Sequence, residues 1–216
     1  MSMFGKVEFD EACKELDEPQ IEDYEFFTES HDVRIYRLYN DQSGLYTYKI
    51  YGFMKDVEPD ICAQVYMDLE YRKTWDTYAK ELREVQEGDK EGIYWQVNYP
   101  SYLFMSNRDY VYMRQYRVIE KDGKTIHCVL TRSEPFGNEP ERSGVIRVDD
   151  YLSYSALTSD GQGGTKAFMK YYDNPKGNIP TMLINWAAKT GVPGFLSQMQ
   201  TACKGYPKYL QSKQTT

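Results

Sequence analysis

The sequence predicts an α+β domain in which one curved antiparallel sheet wraps around a long terminal helix. Three observations predict it. Six strand candidates between residues 81 and 172 follow one another through short connections, which suit antiparallel pairing and exclude parallel crossovers. Asp122-Gly123 and Asp160-Gly161 are strong hairpin signals inside that run. From Ile179-Pro180-Thr181 onward the chain turns to the amphipathic spacing of a long helix. Helices before and after an antiparallel sheet form an α+β layer.

Each element has its own signal. A short helix fits Phe9 to Leu16, where Ala12 and Leu16 recur at helical spacing. Tyr24 to Glu29 and Val33 to Tyr39 read as strands, Asn40 to Gly44 as a turn, and Leu45 to Phe53 as the next strand. Glu58-Pro59-Asp60 opens a helix, with proline in its first turn and acids at the positive end of its dipole. Ile61, Val65 and Leu69 form its buried stripe. The six strands are Glu81 to Val85, Gly92 to Tyr99, Asp109 to Val118, Thr125 to Arg132, Gly144 to Leu157 and Lys166 to Tyr172. In the last helix Met182, Leu183, Trp186 and Ala187 share a face, as do Val192, Phe195, Leu196, Met199 and Cys203 further on. Gly191-Val192-Pro193 kinks or interrupts it. No repeat or linker divides the chain, so residues 1–216 read as a single domain. A domain of this size buries roughly 70% of its unfolded surface, enough for a core and an internal cavity.

Composition narrows the function classes. A net charge of −7 and a pI near 5.0 argue against nucleic-acid binding, which requires a basic face, and against polybasic attachment to anionic membranes. No run approaches 18 apolar residues, and the first residues lack the apolar core of a signal peptide. Cys13, Cys62, Cys128 and Cys203 are dispersed, and the expectation is reduced thiols in a cytoplasmic protein. Tyrosine stands out, with 21 residues against 9 Phe. A buried tyrosine needs a partner for its hydroxyl, so this excess fits a polar-lined interior or a half-exposed sheet surface.

Enzyme signatures are mostly missing. His31 and His127 have no metal-ligand neighbour at useful spacing, and the alternation of His127 with Thr125, Val129 and Thr131 puts it on the surface. Gly161 to Lys166 lacks the spacing of a phosphate loop and reads as a hairpin turn. Arg72 and Asp76 sit four apart. Such a pair is commonly a surface ion pair, but a guanidinium also holds phosphate through charge-assisted hydrogen bonds. Indole and phenol faces hold a quaternary ammonium by cation–π attraction. A pocket with both would recognise a phosphocholine head group. Trp95 alternates with Ile93, Val97 and Tyr99 and points inward, to a core or a cavity. Tyr110 shares a face with Tyr112, Arg114 and Tyr116, which suits a polar cavity wall or a solvated outer face equally. Strict alternation turns Tyr151 outward, with Arg147, Asp149 and Ser153, unless a bulge shifts the register.

Four runs carry a family resemblance. They are Tyr66-Met67-Asp68 with Tyr71-Arg72-Lys73, Met105 to Tyr112, Glu141 to Val148, and Leu183 to Lys189. From about Leu16 to Leu210 the chain resembles START lipid-transfer domains. The resemblance implies a helix-grip fold: a curved nine-stranded antiparallel sheet wrapped around a long C-terminal helix, with an internal cavity for one lipid. By motif match Arg72 would hold the phosphate, with Asp76 as its ionic partner and Tyr66 hydrogen-bonding nearby. Trp95, Tyr110 and Tyr151 would form the choline cage, which implies an inward Tyr151 and a register shift. Two departures stand out. Pro100 to Met105 is two residues longer than the family pattern, and Ser153 replaces a glutamine two residues after the third cage aromatic, so it reaches less far.

The expectation is therefore a monomeric cytosolic carrier of one phosphatidylcholine. It makes transient membrane contact, binds no nucleic acid and needs no cofactor or metal. The C-terminal helix is the candidate lid, hinged near Gly191 and Pro193, with Leu183, Trp186, Ala187, Phe195, Leu196 and Met199 against the acyl chains. The alternatives are a lipid-sensing adaptor, whose protein partner the sequence does not identify, and an enzyme on the same scaffold.

Overall fold

The computed structural model describes residues 3–30, 32–99, 105–177, 179 and 181–214. In chain order the elements are α1 (Lys6–Lys14), β1 (Glu25–Ser30), β2 (Val33–Asn40), β3 (Leu45–Met54), α2 (Pro59–Met67), α3 (Leu69–Trp75), β4 (Ala79–Glu87) and β5 (Lys90–Val97). Then come β6 (Asn107–Lys121), β7 (Lys124–Ser133), β8 (Val145–Val148), β9 (Tyr151–Ser159), β10 (Thr165–Asp173), α4 (Thr181–Trp186) and α5 (Val192–Gln214). A π-helical turn over Ala187–Gly191 joins α4 to α5. Nine strands run in the order β1-β2-β3-β10-β9-β7-β6-β5-β4, all antiparallel. This is the helix-grip arrangement, a curved sheet wrapped around the long C-terminal helix.

The local signals act as predicted at the hairpins. Asp122 and Gly123 both take positive φ, 52° and 74°, and form the two-residue turn that sets Lys121 opposite Lys124. Gln162 and Gly164 donate their N–H groups to the Asp160 carboxylate, at 2.7 and 2.8 Å, and close the β9–β10 turn.

Three expectations are corrected. The stripe Ile61, Val65, Leu69 does not lie on one helix. α2 ends at Met67, Asp68 is extended (φ −76°, ψ 94°), and its carboxylate accepts the Tyr71 N–H at 2.9 Å to start α3. That restart buries Leu69, Tyr71 and Arg72. Second, residues 144–157 are not one strand. Asp149 and Asp150 separate β8 from β9, and β8 pairs in parallel with β6. The exclusion of parallel pairing overlooked the connection through residues 134–144, which is long enough to bring the chain back alongside β6. Third, His127 is buried, with Nδ1 2.7 Å from the Tyr116 hydroxyl, because α2 packs over that end of β7.

The sheet is covered on both faces. Outside, Phe4, Phe9, Ala12, Cys13 and Leu16 pack on Ile126, Cys128, Leu130, Tyr154 and Ala156. Glu8 fixes this N-terminal cover by accepting hydrogen bonds from the Gly5 N–H (2.8 Å), the Tyr154 hydroxyl (2.7 Å) and Arg132 (2.6 Å). Inside, α2 and the middle of α5 form a second core around Cys62, Ala63, Val65, Met199, Ala202, Cys203 and Tyr206.

Candidate functional site

Between the inner sheet face and the helices lies a cavity of about 440 Å³. Every residue singled out from the sequence lines it: Arg72, Asp76, Tyr66, Trp95, Tyr110, Tyr151 and Ser153, and on the helical side Leu183, Trp186, Ala187, Phe195, Leu196 and Met199. Pro100 to Phe104, which hold the expected two-residue extension, lie outside the described residues.

Arg72 and Asp76 are not a surface pair. Their side chains are 5% and 1% exposed, and Arg72 Nε donates to Asp76 Oδ2 at 2.8 Å. The other carboxylate oxygen accepts the Tyr78 N–H at 3.0 Å. Burial opposes the charge on Arg72, but Tyr66 and Asp76 outweigh it and raise its pKa above the ordinary value. Among the described residues Nε is its only hydrogen-bonding nitrogen. Its two terminal nitrogens remain available where the side chain lines the cavity. The guanidinium carbon lies 5.0 Å from the ring centre of Tyr66, 5.4 Å from Phe195 and 5.9 Å from Trp95. Aromatic rings thus surround the cation and fix its direction.

The aromatic group continues from there. Trp95 and Tyr110 stack with centroids 4.9 Å apart, and Tyr110 meets Tyr151 edge to face at 5.2 Å. Cross-strand pairing places them, since Trp95 lies directly opposite Tyr110 on β5 and β6. Tyr151 faces inward because the break at Asp149 and Asp150 shifts the register. Val148 and Tyr151, three apart, belong to the same inner cluster. Leu152 and Tyr154, whose apolar alternation implied an outward Tyr151, belong to the outer face beneath α1. Ser153 follows Tyr151 on the inner face and is 3% exposed. The Tyr151 hydroxyl lies 3.1 Å from Thr131 Oγ1.

Several wall residues escaped the sequence reading. Tyr112 packs edge to face on Tyr151 at 5.4 Å, and burial pushes its hydroxyl pKa up to about 12. Tyr171 and Asp173 also line the cavity. Their alternation with Ala167 and Met169 on β10 was available as a signal, but the predicted strand stopped at Tyr172. The Asn107-Arg108-Asp109 run has a supporting role. Arg108 donates to the carbonyls of Ser106, Pro175 and Lys176 at 2.7–3.0 Å. Asp109 binds Arg147 through two hydrogen bonds, at 2.9 and 3.1 Å. These contacts hold the segment after β10 and the parallel strand β8 against the start of β6.

The helical wall is apolar. Trp186 packs against Tyr78 and Tyr99, with centroids at 5.7 and 6.3 Å, and Phe195 lies on Trp75 at 5.6 Å. A Cβ at Gly194 would run into the Tyr78 hydroxyl and force that side chain to shift. Among the described residues no helix is long and apolar enough to cross a membrane. Among the described residues no cluster of three or more His, Cys, Asp or Glu could hold a metal ion.

Comparison with known proteins agrees with this architecture. The START domain family pattern matches residues 7–208. The phosphatidylcholine transfer proteins of Bos taurus and Homo sapiens are each 48% identical over 207 residues, covering 95% of this chain and 96% of theirs. The crystal structure of human STARD10 superposes with a TM-score of 0.80 at 18% identity, covering 98% of this chain and 84% of that one, and supports the fold. A buried basic site in a largely apolar cavity, gripped by a curved sheet and a C-terminal helix, is thus set in a sequence matched over nearly its whole length, and the chain belongs to the START domain family of lipid-transfer proteins.

Proposed function

We propose that this protein binds one phosphatidylcholine in its cavity and carries it between membranes through the cytosol. The observation that carries the reading is Arg72: a buried guanidinium with its terminal nitrogens unpartnered among the described residues, set beside a contiguous aromatic wall. In this reading Arg72 takes the phosphate, with Asp76 holding it in place and Tyr66 alongside. Trp95, Tyr110 and Tyr151 receive the choline. Ser153 is too short to reach the phosphate as a glutamine would. Two neutral partners meet, an arginine–aspartate pair and a zwitterion, so loading leaves no uncompensated charge in a medium that penalises it. A trimethylammonium has no N–H to leave unpaired among rings, whereas an ethanolamine ammonium loses three hydrogen bonds there. The 48% identity to phosphatidylcholine transfer proteins supports the same cargo.

Release requires a moving wall. The lid in this reading is α4, the π-helical turn and the first turn of α5, which bring Leu183, Trp186, Ala187, Phe195 and Leu196 to the acyl chains. Met199 marks where α5 becomes an anchor, since Met199, Ala202, Cys203 and Tyr206 are buried in the core with α2. A π-turn carries a looser hydrogen-bond pattern than the helices on either side, and Gly191 ends it. The chain acts as a monomeric carrier without chemistry of its own. Native mass spectrometry of the purified protein, with the released lipid identified after extraction, tests the cargo. One phosphatidylcholine per chain supports the proposal, and a different head group overturns it.

A further inference from the structure

The aromatic end of the cavity contains a carboxylate that nothing in the reading above uses. Asp173, the last residue of β10, accepts two hydrogen bonds on one oxygen, from the Tyr110 hydroxyl at 2.7 Å and the Tyr171 hydroxyl at 3.0 Å. Among the described residues no Lys or Arg forms an ion pair with it. Arg108, whose charge reaches it, gives its guanidinium to the carbonyls of Ser106, Pro175 and Lys176 instead. Asp173 is half-buried and lines the cavity. Burial raises its pKa, partly offset by the two phenols and Arg108. A carboxylate in such a place is costly unless a cation comes to meet it.

The order of groups along the wall says which cation. Arg72 lies against one side of Trp95, Trp95 stacks on Tyr110, and the Tyr110 hydroxyl reaches Asp173. A positive group therefore adjoins Trp95 and a negative group the Tyr110 hydroxyl, the two rings of one aromatic stack. A phosphocholine zwitterion laid along it meets both groups with opposite sign. Its phosphate lies at Arg72 and its ammonium at the tyrosines that Asp173 holds. Arg108 balances Asp173 at a distance, as Asp76 balances Arg72 in contact, so the site is polarised but neutral.

We propose that Asp173 is a specificity-determining residue of the head-group site, supplying the counter-charge for the quaternary ammonium and fixing the phenol rings of Tyr110 and Tyr171 around it. The proposal rests on the phosphatidylcholine reading of the cavity. It also assigns a reason for the two hydroxyls on Oδ2. They occupy one of the two oxygens that a primary ammonium could take, which reduces what the carboxylate offers to ethanolamine lipids.

Asp173→Asn tests it, because an amide oxygen still accepts from both tyrosines while the charge is gone. Binding of phosphatidylcholine and phosphatidylglycerol with the same acyl chains is measured for wild type and variant. Both lipids carry the phosphate, and only phosphatidylcholine carries the cation. The expected result is a phosphatidylcholine affinity about tenfold lower with phosphatidylglycerol unchanged or tighter, so that the ratio moves tenfold or more. A parallel loss for both lipids, or no change in the ratio, overturns the role of Asp173. A wild-type protein that does not prefer phosphatidylcholine sinks the cargo reading itself, which keeps the two failures apart. Should Asp173→Asn fold poorly, Tyr171→Phe serves. It frees one acceptor position while leaving the charge, and discrimination between phosphatidylcholine and phosphatidylethanolamine should fall several-fold. An unchanged discrimination counts against the proposal.

Discussion

Replacing Arg72 by methionine removes the guanidinium but keeps a long apolar stem in the same space. It also strands the Asp76 carboxylate, whose side chain is 1% exposed. The Tyr78 N–H at 3.0 Å is then its remaining donor among the described residues. Leaving one partner of a buried ion pair unpaired costs about 3–5 kcal/mol, which for a chain of this length is a fall of roughly 6–20 °C in Tm. The double variant Arg72→Met, Asp76→Asn removes the stranded charge, and its amide oxygen still accepts from Tyr78, so most of that stability should return. Lipid binding should not return with it. Two charge-assisted hydrogen bonds to the phosphate, at about 1.5–3 kcal/mol each, put the loss at about a hundredfold or more. Urea unfolding followed by tryptophan fluorescence gives the stabilities, and titration with fluorescent phosphatidylcholine gives the affinities. An Arg72→Met protein as stable as wild type would show that the buried pair does not stabilise the fold. A double variant that binds phosphatidylcholine normally would remove Arg72 from the site.

Three further outcomes follow from the geometry. Trp95→Ala should weaken phosphatidylcholine binding roughly thirtyfold, from about 2 kcal/mol of desolvated cation–π attraction. Unchanged affinity, measured well below the unfolding transition, would take Trp95 out of the cage. At the N-terminus, burial works against ionisation of Glu8, but hydrogen bonds from Tyr154, Gly5 and Arg132 win and lower its pKa. Its contribution to stability is therefore present above the unfolded carboxylate value of about 4.3 and disappears as pH falls through the lower folded value. Labelling of the buried thiols of Cys13 and Cys128 by a dipyridyl disulfide, which reacts with thiols in acid, should rise in that window as α1 loosens, and Glu8→Gln should abolish the step. A step that persists in Glu8→Gln would assign it to another group. Finally, the Cys62 and Cys203 sulfurs are 3.9 Å apart. Oxidising them with a diazene thiol oxidant ties α5 to α2 behind the anchor. Transfer should stay within about twofold if the lid is the segment from α4 to the start of α5, and a collapse in rate would mean that α5 detaches as a whole.

Much of the fold was legible because local chemistry and global architecture agree in it. Asp122-Gly123 dictates a turn, and alternation in β5 and β6 places Trp95 opposite Tyr110. The misreadings occur where distant segments change a residue's surroundings. Arg72 and Asp76 carry the spacing of a surface pair and are buried only because α3 restarts at Asp68 and Phe195 of α5 covers them. Tyr151 was turned outward because both faces of β9 are buried, and the more apolar face belongs to α1 rather than to the cavity. His127 was assigned to solvent because nothing in its own strand announces α2 above it. Asp173 was missed for a related reason: its significance lies in hydroxyls from β6 and β10, and a single carboxylate at a strand end has no local signature. The site residues carried over by family resemblance do converge on one cavity, although the resemblance says nothing of Asp173's place beside them.

The central claim is head-group-selective lipid carriage. Transfer of fluorescent lipids from donor to acceptor vesicles tests it most directly, with phosphatidylcholine, phosphatidylethanolamine and phosphatidylglycerol of identical acyl chains presented in parallel. The account predicts rapid protein-dependent movement of phosphatidylcholine, with the other two at least tenfold slower. Equal rates for the three lipids, or no movement of phosphatidylcholine, would contradict it.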